Sequence, residues 1–157
     1  AGHEATVHTL GNGVKTLLEH GQSAPRDGIE ARVEETLRFD PPLHLFTRYA
    51  YDDIELFGHR FKRGDQVACL LAAANRDPRF WDEPEAYRVD RDTRHSLGWG
   101  YGVHGCVGRV LAQTEAQAFL GTLVREVESF EIAGEYEPWM TTVGHGPIRQ
   151  PVKLKFA

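Results

Sequence analysis

The chain has 157 residues, 41% of them hydrophobic and 26% charged, a composition that fits a globular protein with one core and excludes fibrous or disordered classes. A formal net charge of -5 argues against a general nucleic-acid binder, because neutralising phosphates takes a face rich in lysine and arginine. Cys69 and Cys106 are the only cysteines and no apolar run approaches the roughly 20 residues of a membrane span, so neither a disulfide framework nor a membrane partner is expected, and a reducing, cytoplasmic setting is the default.

Val7, Leu10, Val14, Leu17 and Leu18 recur at spacings of three and four, the pattern of one helix face, which Gly11 and Gly13 weaken. That periodicity starts at the first residues, without methionine, so the sequence reads as entered inside a helix, with any leader upstream. Gly21 to Gly28, with Pro25 and Asp27, reads as a loop. A second helix is expected from about Ile29 to Phe39, stopped by Pro41 and Pro42, since proline lacks the amide donor and restricts the residue before it. From Tyr51 to Leu71 short apolar runs alternate with Gly58 and Gly64, which suggests two or three strands with tight turns, and Leu70 to Asn75 coils into a short helix. Asn75 to Arg94 is charged, contains prolines and reads as irregular. After a glycine-rich loop at Gly98 to Gly108 comes the strongest helix, with Val110, Leu111, Phe119, Leu123, Val124 and Val127 as its apolar stripe, and Pro151 to Phe156 alternates like a strand. No repeat or linker divides the chain, so residues 1–157 are taken as one domain, mainly α with small β-sheets.

The run Trp99-Gly-Tyr-Gly-Val-His-Gly-Cys-Val-Gly108 sets one cysteine among glycines directly before a long helix. Glycines let the backbone approach a flat or bulky ligand, and amides near a helix start stabilise a thiolate. A cysteine thiolate is a haem axial ligand that pushes electron density onto iron. Zinc fits poorly, because beside His104 and Cys106 only Cys69 remains as a second thiolate, and Cys69 reads as an apolar core residue. Glu35 and Arg38, three apart on a helix, share a face; taken alone they would be an ordinary solvated pair.

The cysteine run resembles the haem-binding signature FGxGxHxCxG of the cytochrome P450 family, with Trp99 where phenylalanine is usual, and Cys106 to Glu115 resembles its continuation CxGxxLAxxE. Glu35-Thr-Leu-Arg38 is similar to the family's ExxR motif, Ala74-Asn-Arg-Asp-Pro78 to the segment before its meander, and Ala1-Gly-His-Glu4 to its oxygen-binding helix. The resemblance implies the C-terminal, haem-binding part of a soluble bacterial-type P450 fold, comprising the oxygen-binding helix, ExxR helix, meander, cysteine loop and following helix. It implies haem b ligated through Cys106, with Trp99, Gly100 and Gly108 around it. Propionate partners would be Arg48, placed just before the first strand, and His104, with His95 a third. Glu35 and Arg38, with Arg91 as third member, would lock the cysteine loop. Glu4 and Thr6 are the implied catalytic residues, and Leu43, Leu45, Phe46, Val143 and Gly144 the implied substrate pocket. His44 and His145 are left as either pocket or surface residues, and His59 as surface. The implied activity inserts one oxygen atom of dioxygen into a small organic substrate, with electrons from a ferredoxin or flavodoxin docking near Arg109, in a full-length monomer.

Three departures qualify the resemblance. Ala5 stands where many members have a threonine hydroxyl, and Thr6 lies about 100 degrees further round a helix. The connection Gly21 to Gly28 is short, and the family's segments before the oxygen-binding helix are missing from this sequence. The lone chain is therefore expected to expose apolar surface and to hold haem weakly. A peroxide-using or rearranging haem-thiolate enzyme and a non-catalytic haem-binding module are the rival readings.

Overall fold

A computed structural model describes residues 2–21 and 28–156, so most of the expected Gly21 to Gly28 loop lies outside the described residues. Helix α1 spans Glu4–His20 and α2 spans Ile29–Phe39, ending before Pro41 and Pro42 as the sequence predicts. The carbonyl orphaned at the end of α2 meets a cation: Arg76 donates from Nε and Nη2 to the Phe39 oxygen at 3.1 and 2.6 Å, and its guanidinium lies 3.9 Å from the centre of the Phe39 ring.

Helix α1 runs through Gly11 and Gly13 without a break. Gly13 is where it meets α4, Arg109–Glu126: a Cβ there would stand 2.7 Å from a Leu120 methyl, so the helices approach through the absent side chain. The buried face of α1 is Thr9, Asn12, Gly13, Thr16 and Leu17, of which only Leu17 belongs to the apolar series read from the sequence. Val7 is exposed, and Leu10, Val14 and Leu18 pack at the edge of the core. Hydrogen bonds offset part of the cost of burying this polar face: Thr16 donates to the Gly13 carbonyl at 2.9 Å and Asn12 Nδ2 to the Asp40 carbonyl at 2.9 Å, while Asn12 Oδ1 accepts no bond among the described residues. The stripe expected on α4 holds at Leu123, Val124 and Val127, which lie in or against the core, and is corrected in its first half. Val110, Leu111 and Phe119 are exposed while Ala116 and Leu120 are buried, because this helix is apolar on several sides and only one of them meets α1 and α2.

The core joins Leu17, Val33, Leu37, Ala116 and Leu120 from the three helices to Val127 and Phe130. Around it, the sheets among the described residues are two-stranded and antiparallel. Strand β1, Leu45–Tyr49, pairs with β4, Gln66–Leu70, and β2, Ile54–Leu56, pairs with β3, His59–Phe61. A short helix α3, Leu71–Ala74, follows. Strand β5, Val127–Ile132, pairs with β8, Val152–Phe156, and β6, Glu137–Met140, with β7, His145–Arg149. The expected turns at Gly58 and Gly64 are present, both glycines at positive φ. Beginning the strands at Tyr51 missed β1, which follows Pro42 with hardly a turn signal, and β5, which continues directly from α4. No helix among the described residues is long and apolar enough to cross a membrane.

Asp40, just past α2, ties three elements together. It accepts from Lys15 Nζ and from His145 Nε2, both at 2.9 Å, while the His145 backbone amide donates to Pro42 O at 2.9 Å and the His44 ring lies 4.8 Å from the His145 ring. Burial alone would raise the Asp40 carboxyl, but the His145 hydrogen bond and the Lys15 charge outweigh it and hold it below its ordinary 3.8. Burial, with His145 adding, holds His44 below 6.5; burial also lowers His8, against the pull of Glu4.

These shifts have one sign. The unfolded chain binds protons that the folded one refuses, so stability is fully present above the unfolded values and falls with pH, first below about 6.5 through the imidazoles and then below about 4 through Asp40. Urea midpoints measured from pH 7.5 downwards, in buffers of fixed ionic strength, are expected to fall, with a shallower fall in His44→Phe. A flat profile through the imidazole range would contradict this account.

Candidate functional site

Between α2 and α4 the chain folds into a loop around Cys106. The Cys106 amide donates to Trp99 O at 2.8 Å, closing the loop, and a 3-10 turn at Gly102–His104 lies inside it. Gly100 sits at φ +74°, and a Cβ there would stand 2.8 Å from His104 O, so only glycine lets the two strands of the loop pass. Arg109 N donates to Cys106 O at 3.3 Å, starting α4 directly behind the cysteine. Cys106 is exposed, whereas Cys69 is half-buried on β4. Tyr101, Val103, Val107, Val110 and Leu111 are exposed on the same loop and the first turn of α4. Large apolar side chains gathered beside a free thiol mark a face that something covers.

Beneath the loop lies a buried ion pair. Arg38 donates from Nε to Glu35 Oε2 at 2.8 Å and from Nη2 to Glu35 Oε1 at 2.7 Å, and neither side chain has any solvent exposure. The solvated pair that this spacing ordinarily gives is thus replaced by a buried one. Arg38 also donates to the carbonyls of Asn75, Pro84 and Ala86 at 2.9 to 3.0 Å. Glu35 Oε1 accepts in addition from Arg88 N at 2.8 Å and Arg91 Nε at 3.4 Å, so Arg91 joins the pair. Arg91 itself binds the carbonyls of Asp82, Glu83 and Ala86. Asn75 Oδ1 accepts from Leu97 N at 2.7 Å, and a Cβ on Gly98 would stand 2.7 Å from Leu37 O, so this irregular segment passes its position on to the cysteine loop.

Trp99 has a second anchor. Its indole Nε1 donates to both oxygens of Glu34, at 3.0 and 3.1 Å, and Arg109 Nη2 donates to Glu34 Oε1 at 3.3 Å. Sequence reasoning passed over Glu34 and Asn75. The available signal was Trp99 itself, since a partly buried indole N–H needs an acceptor that phenylalanine does not.

The remaining residues fall elsewhere. Arg48 lies within β1 rather than before it; it is exposed and donates to Thr47 O at 2.9 Å. Phe46 shares its face of the strand, and Leu45 takes the opposite one. Leu43 forms a bridge with Gly144, and His44 N donates to Val143 O at 2.8 Å, so the two segments expected at the pocket meet through their backbones. The Trp139 ring fills the place a side chain at Gly144 would take. Glu4 is exposed in the first turn of α1 and Thr6 is half-buried; the helix is regular there, with Thr9 donating to Ala5 O at 2.7 Å. His95 and His104 are exposed, His95 edge-on to Phe80. No hydrogen bond or ring contact among the described residues ties Glu4, Thr6, Arg48 or His95 to the Cys106 loop.

The sequence profile of cytochrome P450 matches residues 28–156. This chain belongs to the cytochrome P450 family. It is 38% identical over 138 residues to the biotin biosynthesis cytochrome P450 of Bacillus subtilis, covering 85% of this chain and 35% of that protein. Identity with cytochrome P450 CYP199A2 of Rhodopseudomonas palustris is 39% over 159 residues, 98% of this chain and 39% of the relative. Among solved structures, P450BioI in complex with hexadec-9Z-enoic acid ligated acyl carrier protein superposes with a TM-score of 0.92 at 34% identity, over 98% of this chain and 42% of that one. The chain thus spans about two fifths of the relatives it matches, and its helices and small sheets form a partial P450 fold. The cofactor of the family is haem b held by a cysteine thiolate. The residues present fit it: Cys106 offers a free, exposed sulfur in a glycine loop, beside apolar side chains that a flat macrocycle would cover.

Removing Arg38 takes from Glu35 its two-pronged partner, leaving Arg91 at 3.4 Å, and from the Asn75 and Pro84 carbonyls their guanidinium donor, at a cost of about 3–5 kcal/mol. Arg38→Ala is expected to lower stability by that amount in chemical denaturation and to loosen residues 75–98 in hydrogen exchange. A change below about 1 kcal/mol, the range of a surface pair, would show that the pair carries no such load.

Proposed function

We propose that this chain is the haem-ligating part, in one domain over residues 1–157, of a cytoplasmic monooxygenase that is monomeric at full length and uses Cys106 as its axial ligand. The observation that carries the reading is the free Cys106 thiol held by a backbone bond to Trp99 at the start of α4. When bound, haem would supply the oxygen-activating chemistry. The chain's own residues would hold and shape it. Trp99, Gly100 and Gly108 would frame the thiolate side; Arg48 and His104, with His95, would meet the propionates; Glu35, Arg38 and Arg91 would keep the loop in place. Leu43, Leu45, Phe46, Val143 and Gly144 would border a small organic substrate, Leu45 from the face of β1 opposite Phe46. Glu4, exposed at the start of α1, would pass protons inward, with Thr6 two residues further along the same helix. A ferredoxin or flavodoxin would dock near Arg109, where the half-exposed guanidinium offers positive charge.

The test is the absorption spectrum of the haem-loaded, reduced protein under carbon monoxide. A strongly red-shifted Soret band that disappears in Cys106→Ala is the expected result. A band unchanged by the mutation would remove Cys106 as the ligand.

Ala5 supports a second reading, a peroxide-using or rearranging enzyme, because its side chain supplies no hydroxyl and the regular helix keeps Thr6 on a different face. In the monooxygenase reading, Ala5→Thr lowers the peroxide released per oxygen consumed. Product formed with peroxide but not with dioxygen and an electron donor would favour the second.

A further inference from the structure

We infer that Glu34 is a positioning residue for the cysteine loop, acting through Trp99 on the backbone of Cys106. Glu34 is nearly buried, with 11% of its side chain exposed, and both of its oxygens accept from the Trp99 indole. At its other end Trp99 accepts the Cys106 amide at 2.8 Å. One residue is therefore fixed to α2 by its side chain and to the cysteine by its carbonyl. Arg109 repeats this on the far side of the loop: it donates to Glu34 at 3.3 Å, its guanidinium lies 5.6 Å from the Trp99 ring centre, and its backbone amide donates to Cys106 O at 3.3 Å. Glu34 thus grips the residues on both sides of the cysteine that bond to its amide and its carbonyl. Phenylalanine at position 99 would pack in the same place and give Glu34 nothing to hold on that side, so the acid and the indole work as a unit.

Neighbouring acids on α2 divide the labour. Glu35 turns into the irregular segment after α3, and Glu34, about 100 degrees further back round the helix, turns to the loop. Loss of Glu35 would disturb the whole support; loss of Glu34 would release the cysteine loop alone.

The experiment has two readouts, of which only the second rests on the haem-thiolate reading. The first is hydrogen exchange at the Cys106 amide, which reports the bond to Trp99 whether or not haem is present. Glu34→Ala is expected to speed it about tenfold or more, the effect of losing about 1.4 kcal/mol of local restraint. Trp99→Phe, which keeps the ring packing, gives a similar rise, and Glu34→Gln, still an acceptor for the indole, recovers most of the protection. In the Trp99→Phe background Glu34→Ala adds less than about twofold. The second readout is the midpoint potential and the reduced carbon monoxide spectrum of the haem-loaded protein: Glu34→Ala shifts the potential and moves part of the population out of the red-shifted band, and Glu34→Gln does neither. Unchanged exchange in Glu34→Ala and Trp99→Phe, or an undiminished effect of Glu34→Ala in the Trp99→Phe background, overturns the inference. A wild-type protein without a thiolate band overturns the functional reading instead, and the exchange result then decides the inference by itself.

Discussion

Arg38 has five N–H donors and all five are used inside the protein: two on Glu35 and one each on the carbonyls of Asn75, Pro84 and Ala86. The rest of the structure depends on this. Residues 75–94 form no strand and only turns, so their carbonyls lack the ladder partners that regular structure provides. Arg38 and Arg91 stand in for the ladder, and Glu35 pairs with both while taking the Arg88 amide. An arginine is suited to this because its planar fork reaches several acceptors with little further loss of freedom. Leaving such a charge buried without its partner would cost far more than the pair itself contributes, so the geometry admits few alternatives.

Rigidity then passes along short bonds. Asn75, held by Arg38 at its carbonyl, holds Leu97 with its side chain; Gly98 lies against the backbone of Leu37; Trp99 follows and receives the Cys106 amide. Each step is a short contact, either between an irregular segment and α2 or within the irregular segments themselves. The cysteine is consequently placed by a helix it never touches in sequence, and the loop can stay open and exposed on its outer side because its inner side is fixed. Exposed Val103, Val107, Val110 and Leu111 would each contribute about 1.5–3 kcal/mol if fully covered, which favours a partner surface on that face over water.

Much of this was legible in the sequence, and the illegible part has physical causes. The end of α2 could be read because proline forbids continuation, and the cysteine loop because its glycines mark positions where a side chain would collide, as Gly100 and Gly98 do. The buried faces of α1 and α4 could not. Thr9, Asn12 and Thr16 look solvent-facing until their hydrogen-bond partners are known, and an α4 apolar on several sides offers no periodicity to choose between them. The burial of Glu35 and Arg38 was equally hidden, since a solvated pair has the same spacing. Strand β1 was lost because its pairing with β4 is decided by a partner some twenty residues away.

Glu34 shows where sequence reasoning stops most sharply. Two adjacent acids on a helix read as one charged patch, yet a helix turns about 100 degrees per residue and sends them to different neighbours. Which of them meets the indole is settled by how α2 packs against the loop, and that packing is settled by the Arg38 pair on the other acid. The two sites are therefore ordered: the buried pair sets the orientation of α2, that orientation presents Glu34 to Trp99, and Trp99 sets the backbone of Cys106. A tryptophan in place of the family's usual phenylalanine is tolerated at position 99 because this orientation supplies an acceptor within 3.1 Å of its nitrogen. The same substitution on a helix turned by one residue would leave a partly buried N–H unpaired, at a cost of about 1–3 kcal/mol, in the segment that carries the cysteine.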